Sequence, residues 1–321
     1  MSSTGRFALV GGGIGHSLSP RLFATACAVG GVAGTYTLLE APDAASARDA
    51  FAALRRGEWQ GLNVTTPHKA LALASADGWQ RSAPGAAGAL TVPANVLWSE
   101  GDRLIAASTD GPGLLDALTL ARARIDGQHV LLLGAGGAAV AVAPALLAAG
   151  VRLLTVTNRT KAAATALAQR LSPLFPGRVA VQPWGATRDL GAVDCVVHAT
   201  RLGHGAAATP EAEAALAAAL DWLPWRAWRE RPPLLLDLVY ANPLTALQAL
   251  AVARGLPLDL RLAATGATAP SPRGVLGHFG EAMLAHQAAR AFALWTHVAV
   301  DPQAMLRAIL APQLPAVHQR P

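Results

Sequence analysis

Gly134, Gly136 and Ala139 fall on the G-x-G-x-x-A spacing, with Gly137 added among them. Glycines so spaced let a chain turn sharply and bring its backbone close to a pyrophosphate, whose charge is favoured by the free N–H groups and positive dipole end of a helix start. About 20 residues past the first glycine, an NAD enzyme would carry an acidic residue for the ribose 2′-hydroxyl. Here stand Asn158, Arg159 and Thr160, with Lys161 next. A carboxylate would repel a 2′-phosphate, whereas a guanidinium can grip one with two charge-assisted bonds. The stretch is therefore expected to bind a dinucleotide, and the expected cofactor is NADP.

The elements that must hold these residues are legible on either side. Residues 130–133 are an uninterrupted apolar run, which suits a parallel strand buried on both faces. An alanine-rich helical segment follows the glycines and ends at Gly150, and residues 151–157 form a second, β-branched strand. Residues 130–150 also lack any charged side chain and are long enough to span a bilayer. Their four glycines and Pro144 favour strand, turn and helix instead.

Other polar groups sit at the ends of short strand-like runs upstream. Residues 6–10 lead into a glycine-rich loop and Ser17-Leu18-Ser19-Pro20, which can present two hydroxyls from one loop. The plainer use of Ser19 is to N-cap the helix that Pro20 opens and that runs to about residue 29. A strand at 36–39 and a helix at 44–55 make the pattern β-α-β-α. Next comes Asn63-Val64-Thr65-Thr66-Pro67-His68-Lys69, a strand end, a turn and a helix start. A lysine at a turn is ordinarily a solvated group, but ligands collect at strand ends in open α/β sheets. Asn95 lies within a β-like stretch, 88–98, and must find hydrogen-bond partners if buried. Asp110 follows a strand at 104–107 and could simply cap the helix at 114–121.

Hydrophobic residues make up 52% of the 321 and charged ones only 14%, which favours a well-buried globular chain. The net charge of +6 comes from scattered arginines, with no long basic run and few aromatics, so a nucleic-acid surface has little support. A mildly basic cleft for phosphorylated or acidic ligands accounts for it. Cys27 and Cys195 lack metal-ligand or disulfide spacing, so buried thiols in a reducing compartment are expected. No signal peptide is read at the N-terminus, and the cytoplasm is the expected location, with no membrane partner. Nothing in the sequence suggests a metal.

Taken together, GHSLSP, NVTTPHK, STDGPG, GAGGAA followed by NRT, DLVYANPLTALQALAVARG and MLAHQAARAFALW occur in the order and at about the spacings of the shikimate dehydrogenase family. The chain resembles that family over nearly its whole length, with gaps near 205–232 and 262–279. The resemblance implies two α/β domains: an open substrate domain formed by 1–112 plus 280–321, and a Rossmann-type NADP-binding domain with a parallel sheet at 113–279. It implies reversible reduction of 3-dehydroshikimate to shikimate, on the route to chorismate and the aromatic amino acids. Ser17 and Ser19 would bind the substrate carboxylate, supported by Thr65 and Tyr240. Asn95 and Gln287 would hold ring hydroxyls, and Lys69 and Asp110 would be the catalytic pair. Cofactor contacts would come from Gly134, Ala135, Gly136, Gly137 and Ala138 of the turn. Asn158, Arg159, Thr160 and Lys161 would serve the 2′-phosphate, with Thr200 contributing from another strand's end and Gly280 from just before the Met-Leu motif. A homodimer is compatible with the sequence.

Several positions depart from the family's pattern. Phe279-Gly280 stands where Asp-Gly is usual, after a longer Thr/Pro/Gly-rich stretch at 263–278. Ser108 replaces a common Asn, and His198 and His204 replace the usual Asn and Met, a change read as ordinary drift rather than metal binding. Trp222, Trp225 and Trp228 cluster after a helical stretch at 210–220 and are expected to serve packing or subunit contacts. Other readings are a paralogue acting on quinate or aminoshikimate, or a nucleotide-sensing protein that keeps the fold without turnover. Ser19 and Arg159 lean toward shikimate and NADP.

Overall fold

A strand made only of apolar side chains needs cover on both faces, and the run from residue 130 has it in the computed structural model. The structure describes residues 4–81, 90–186, 190, 193–203, 210–240, 244–260 and 272–311. The first half runs β1 (Gly5–Gly11), α1 (Ser19–Gly30), β2 (Gly34–Glu40), α2 (Ala44–Arg55), β3 (Gly61–Val64), α3 (Lys69–Ser75), β4 (Gly78–Trp79), β5 (Val96–Glu100) and β6 (Arg103–Ala107). After α4 (Asp110–Leu120) come β7 (His129–Leu133), α5 (Gly137–Ala148), β8 (Leu153–Asn158), α6 (Lys161–Leu171), β9 (Val179–Pro183) and β10 (Cys195–His198). Then follow α7 (Pro210–Leu220), α8 (Trp225–Glu230), β11 (Leu234–Asp237), α9 (Ala246–Ala253), β12 (Leu258–Asp259), β13 (Gly274–Leu276), α10 (Phe279–Thr296) and α11 (Pro302–Leu310).

These strands form two sheets. The first has the order β2-β1-β3-β5-β6-β4, parallel through β2-β1-β3 and antiparallel where β5 pairs with β3 and β6. The second, in the order β12-β13-β11-β10-β7-β8-β9, is parallel throughout. The α/β class and the parallel Rossmann-type sheet expected from the sequence are borne out. In the second sheet the strand order reverses at β7, with β8 on one side and β10 on the other. Ligands in open α/β sheets bind outside the carboxyl ends of strands at such a switch point.

All five residues of β7 are buried, and burying a leucine contributes about 1.5–3 kcal/mol relative to exposure. One apolar cluster runs from Leu22 and Phe23 of α1, through Leu114 of α4 and Phe292 of α10, to Val130 and Val142 in the second half. α4 packs on both α5 and α10, and α10 on α11. The two sheets thus share a helical seam. Trp225 and Trp228 are buried at the far face of the second sheet, and Trp222 is half-buried against the same apolar cluster, which is packing, one of the two uses expected. Residues 263–271 and His204 lie outside the described residues. Among the described residues no helix is long and apolar enough to cross a membrane.

Several boundaries differ from the sequence reading for physical reasons. Ser19 does not cap α1. Leu18 occupies the cap position and offers no side-chain bond, while Pro20 sits in the first turn. α4 begins at Asp110 itself, four residues before the expected start, with Thr109 at the cap. Asp110 therefore lies in the first turn, where the helix dipole favours a negative charge.

Candidate active site

A cleft of about 500 Å3 opens between the carboxyl ends of the two sheets. Its first wall is built by two helix starts and one strand end. The chain leaves β3, turns at Pro67 and begins α3 at Lys69, while it leaves β6 and begins α4 at Asp110. Lys69 Nζ thereby donates to Asp110 Oδ2 at 2.5 Å. The side chains are only 15% and 7% exposed, so breaking the pair would strand a charge in a poorly solvated place.

Asn95, immediately before β5, finds the partners that its burial demands. Its Oδ1 accepts the Thr109 N–H at 2.7 Å. Its amide nitrogen lies 3.0 Å from Asp110 Oδ1, 2.9 Å from Thr109 Oγ1 and 2.9 Å from Gln287 Oε1. Two N–H groups facing three acceptors leave acceptor capacity over, which a ligand hydroxyl can use. Gln287 comes from α10, 192 residues away in sequence. Lys69 has three donors and, among the described residues, commits one to Asp110.

The two serines are held by a separate set of bonds. Ser17 Oγ donates to Ser19 Oγ at 3.1 Å, and the Ser19 N–H donates to Ser17 Oγ at 3.2 Å. Tyr240 bonds Ser17, and Tyr36 bonds Ser19. Burial pushes the Tyr240 hydroxyl pKa up, and the Ser17 bond only partly offsets it. Burial raises that of Tyr36 as well, so both phenols stay protonated donors at neutral pH. Tyr36 donates to Asn63 Oδ1 at 2.8 Å, and Asn63 in turn donates to the Asn95 carbonyl at 3.2 Å. The loop carrying the serines is pinned by Glu40, whose carboxylate accepts from the Gly13 and Ile14 N–H groups. Thr65 lines the same wall.

The second wall is mostly backbone. Gly136, Gly137 and Ala138 line the cleft at the start of α5, and Ala199, Thr200 and Arg201 line it beyond β10. Gly134 has φ +119° and a Cβ there would stand 2.7 Å from the Ala199 carbonyl oxygen, so only glycine fits. Lys69 Cδ lies 3.6 Å from where a Gly137 Cβ would be, so the first wall's lysine stands directly over the glycine turn. Gly280 closes the floor; a Cβ there would meet the Val239 carbonyl oxygen at 2.2 Å.

Not every residue singled out in the sequence reaches the cleft. Gly134 is buried, its N–H donating to the Thr157 carbonyl at 2.8 Å, and Ala135, half-buried, lies outside the lining. Asn158, Arg159, Thr160 and Lys161 sit at the end of β8, beside the turn and outside the lining. The Asn158 side chain is tied within its own loop to the Thr160 carbonyl at 3.0 Å. Arg159 and Lys161 are exposed and make no ion pair among the described residues. The glycine turn fits a pyrophosphate, since the open start of α5 offers N–H groups without a side-chain cap. The two cations beyond β8 fit an additional phosphate. Among the described residues no group of three His, Cys, Asp or Glu is disposed to hold a metal.

Sequence reasoning missed Tyr36, Asn63, Thr109, Glu40, His16 and the apolar Met283 and Leu284. Asn63 carried a usable signal, a polar residue inside a short apolar strand. Tyr36 carried none, because tyrosine is an ordinary strand residue.

Residues 9–92 match the model of the shikimate dehydrogenase substrate binding domain, residues 117–204 that of shikimate/quinate 5-dehydrogenase, and residues 280–310 that of the shikimate 5′-dehydrogenase C-terminal domain. A shikimate dehydrogenase (NADP(+)) of Xanthomonas oryzae pv. oryzae is 34% identical over 315 residues, covering 95% of this chain and 95% of the relative. One of Rubrobacter xylanophilus is 34% identical over 304 residues, 94% of each chain. The crystal structure of shikimate 5-dehydrogenase from Thermus thermophilus in complex with NADP(H) and shikimate superposes with a TM-score of 0.70 at 31% identity, covering 95% of this chain and 98% of that one.

Proposed function

The chain belongs to the shikimate dehydrogenase family, and we propose that its Lys69–Asp110 pair handles the proton while the serine loop and the Asn95–Gln287 bridge hold the substrate. The protein is an NADP-dependent shikimate dehydrogenase, an oxidoreductase that interconverts 3-dehydroshikimate and shikimate. When bound, NADPH supplies the hydride. Hydride arriving at a carbonyl carbon leaves an alkoxide, so a positioned proton donor lowers the barrier. Lys69 is the donor: its ammonium keeps protons not used by Asp110 and lines the cleft between the serine loop and the glycine turn, where the substrate ring would lie. Asp110 orients that ammonium and offsets its charge.

Ser17 and Ser19, held by Tyr240 and Tyr36, present hydroxyl groups that can rotate their hydrogens onto a carboxylate, with Thr65 beside them. Asn95 and Gln287 meet ring hydroxyls with mixed donor and acceptor atoms. Gly136, Gly137, Ala138, Thr200 and Gly280 contact the cofactor, and Asn158 to Lys161 serve its 2′-phosphate. Residues 1–112 with 280–321 act as the substrate domain and 113–279 as the nucleotide domain. Closure of one on the other excludes water. All these residues come from one chain, so the site requires no partner subunit, and the cytoplasm is its place of work.

The observation that carries the reading is the 2.5 Å Lys69–Asp110 pair standing against Gly137. The test mixes purified protein with NADP or NAD and with shikimate, quinate or aminoshikimate and follows reduced-nicotinamide absorbance. Turnover with shikimate and NADP is expected to dominate. Turnover confined to quinate with NAD would overturn the reading.

A further inference from the structure

His198 departs from the family's usual residue, and the structure gives the departure a role. The ring is fully buried at the end of β10, and Asp237, at the end of β11, is 1% exposed. His198 Nδ1 donates to Asp237 Oδ1 at 2.8 Å. Asp237 also accepts from the Val239 N–H at 3.0 Å and from the Thr245 hydroxyl at 2.5 Å. Thr245 is fixed in turn by a reciprocal cap with Gln248 at the start of α9, and Gln248 is bonded to the Leu276 carbonyl of β13. Three adjacent strands of the parallel sheet therefore hold one imidazole at one angle.

The far edge of that imidazole faces Thr200. With Nδ1 donating, Nε2 accepts from the Thr200 hydroxyl at 2.6 Å, and Thr200 Oγ1 accepts in turn from the Leu202 N–H at 3.1 Å. Thr200 lines the cleft, and its backbone nitrogen lies 3.2 Å from where a Cβ on Gly134 would stand. A threonine hydroxyl is normally free to rotate. Here two bonds fix it, and the lone pair left over is an acceptor that a nucleotide hydroxyl can use.

We propose that His198 is a positioning residue for the cofactor: it carries the Asp237–Thr245 network across to Thr200 and fixes the hydroxyl that meets the nucleotide. This rests on the reading that Thr200 contacts the cofactor. An asparagine at 198 has its amide where the imidazole has Nδ1. It can satisfy Asp237 but stops short of Thr200. A glutamine reaches to where Nε2 stands, so it can hold Thr200 while leaving Asp237 short of a donor.

The test measures NADPH affinity by fluorescence titration, shikimate KM and thermal stability in full-length His198→Asn, His198→Gln, Thr200→Val and the double variant His198→Asn/Thr200→Val. His198→Asn is expected to weaken NADPH binding roughly threefold to tenfold, the range of one lost hydrogen bond, with shikimate KM and stability retained. His198→Gln is expected to show the opposite: lower stability and retained NADPH affinity. A merely structural role cannot produce that crossed pattern. The double variant should bind NADPH no more weakly than Thr200→Val alone, because both changes remove one linked interaction. Multiplying effects, or unchanged affinity in His198→Asn while Thr200→Val is weakened, would overturn the positioning role alone. Unchanged affinity in Thr200→Val would overturn both that role and the contact beneath it.

Discussion

The two walls of the cleft hold their polar groups by different means. On the substrate side, Lys69, Asn95, Asp110, Thr109 and Gln287 are bonded to one another at 2.5–3.3 Å, and Asn95 and Asp110 are almost fully buried. On the nucleotide side the groups facing the cleft are mostly backbone at the start of α5, which carries no side-chain cap, and the cations Arg159 and Lys161 are exposed. The first wall's organisation is established on folding, before any ligand arrives, which is the condition for electrostatic stabilisation of a developing charge. On the second, Thr200 is held by His198, but Arg159 and Lys161 make no ion pair among the described residues. Substitutions in the first should therefore act on kcat, and those in the second on cofactor affinity.

The largest expected effect tests the first wall. Lys69→Ala removes the proposed proton donor and leaves Asp110 buried without its cation, so kcat should fall by roughly 10²–10⁴. Asp110→Asn should fall in the same direction, because the lysine loses its orienting charge. NADPH dissociation constants, measured by fluorescence titration, should change little in either variant. Cofactor affinity falling as far as kcat would mean that the walls are not separable.

Arg159→Ala is the complementary test, with a smaller effect. An exposed guanidinium is screened by water, so its bonds to a 2′-phosphate belong at the low end of the 1.5–3 kcal/mol range for charged partners, about tenfold in affinity. The ratio of kcat/KM for NADP over NAD should drop by roughly that factor, while kcat with saturating NADP is retained. A tenfold loss of kcat instead would place Arg159 in the chemistry rather than the binding.

The same contrast explains which parts were legible in the sequence. The second wall obeys local rules: an all-apolar run is a buried parallel strand, glycines at a fixed spacing are a phosphate turn, and β7, α5 and β8 appear where those rules put them. The first wall assembles residues from α1, β3, α3, the segment before β5, α4 and α10, with Asn95 and Gln287 192 positions apart. Each has a commonplace local use, as a cap, a solvated lysine or a strand amide, and only the family resemblance joined them. Ser19 was locally a helix cap and is instead bonded to Ser17 and Tyr36. α11 was missed although Asp301-Pro302 is a standard start signal, with Asp301 accepting from the Gln303 N–H. The missed Tyr36 lacks such a signal, and the role that it shares with Asn63 exists only after β1, β2 and β3 pair.

The smallest expected effect examines how far the dry, pre-set character of the first wall extends behind it. His286 adjoins Gln287 on α10, and its side chain is 13% exposed. Its Nδ1 lies 3.8 Å from Asp116 of α4, which is already held by Arg290 at 2.6 and 2.9 Å. Burial pushes the imidazole pKa below the ordinary 6.5, and Arg290 pushes it further; Asp116 and Asp301 only partly oppose this. The unfolded chain thus binds this proton more readily than the folded one, so stability rises with pH between the folded and unfolded pKa values and is level above about 6.5. As pH falls below that value, the folded state loses stability. His286→Gln removes the titrating group, so the fall in urea midpoint between about pH 7.5 and about pH 5.5 should be shallower than in the parent. The carboxylates contribute equally to both proteins and cancel in the difference. An unchanged fall would mean that water reaches the α4–α10 seam, and that the pre-set wall is only as deep as its hydrogen bonds.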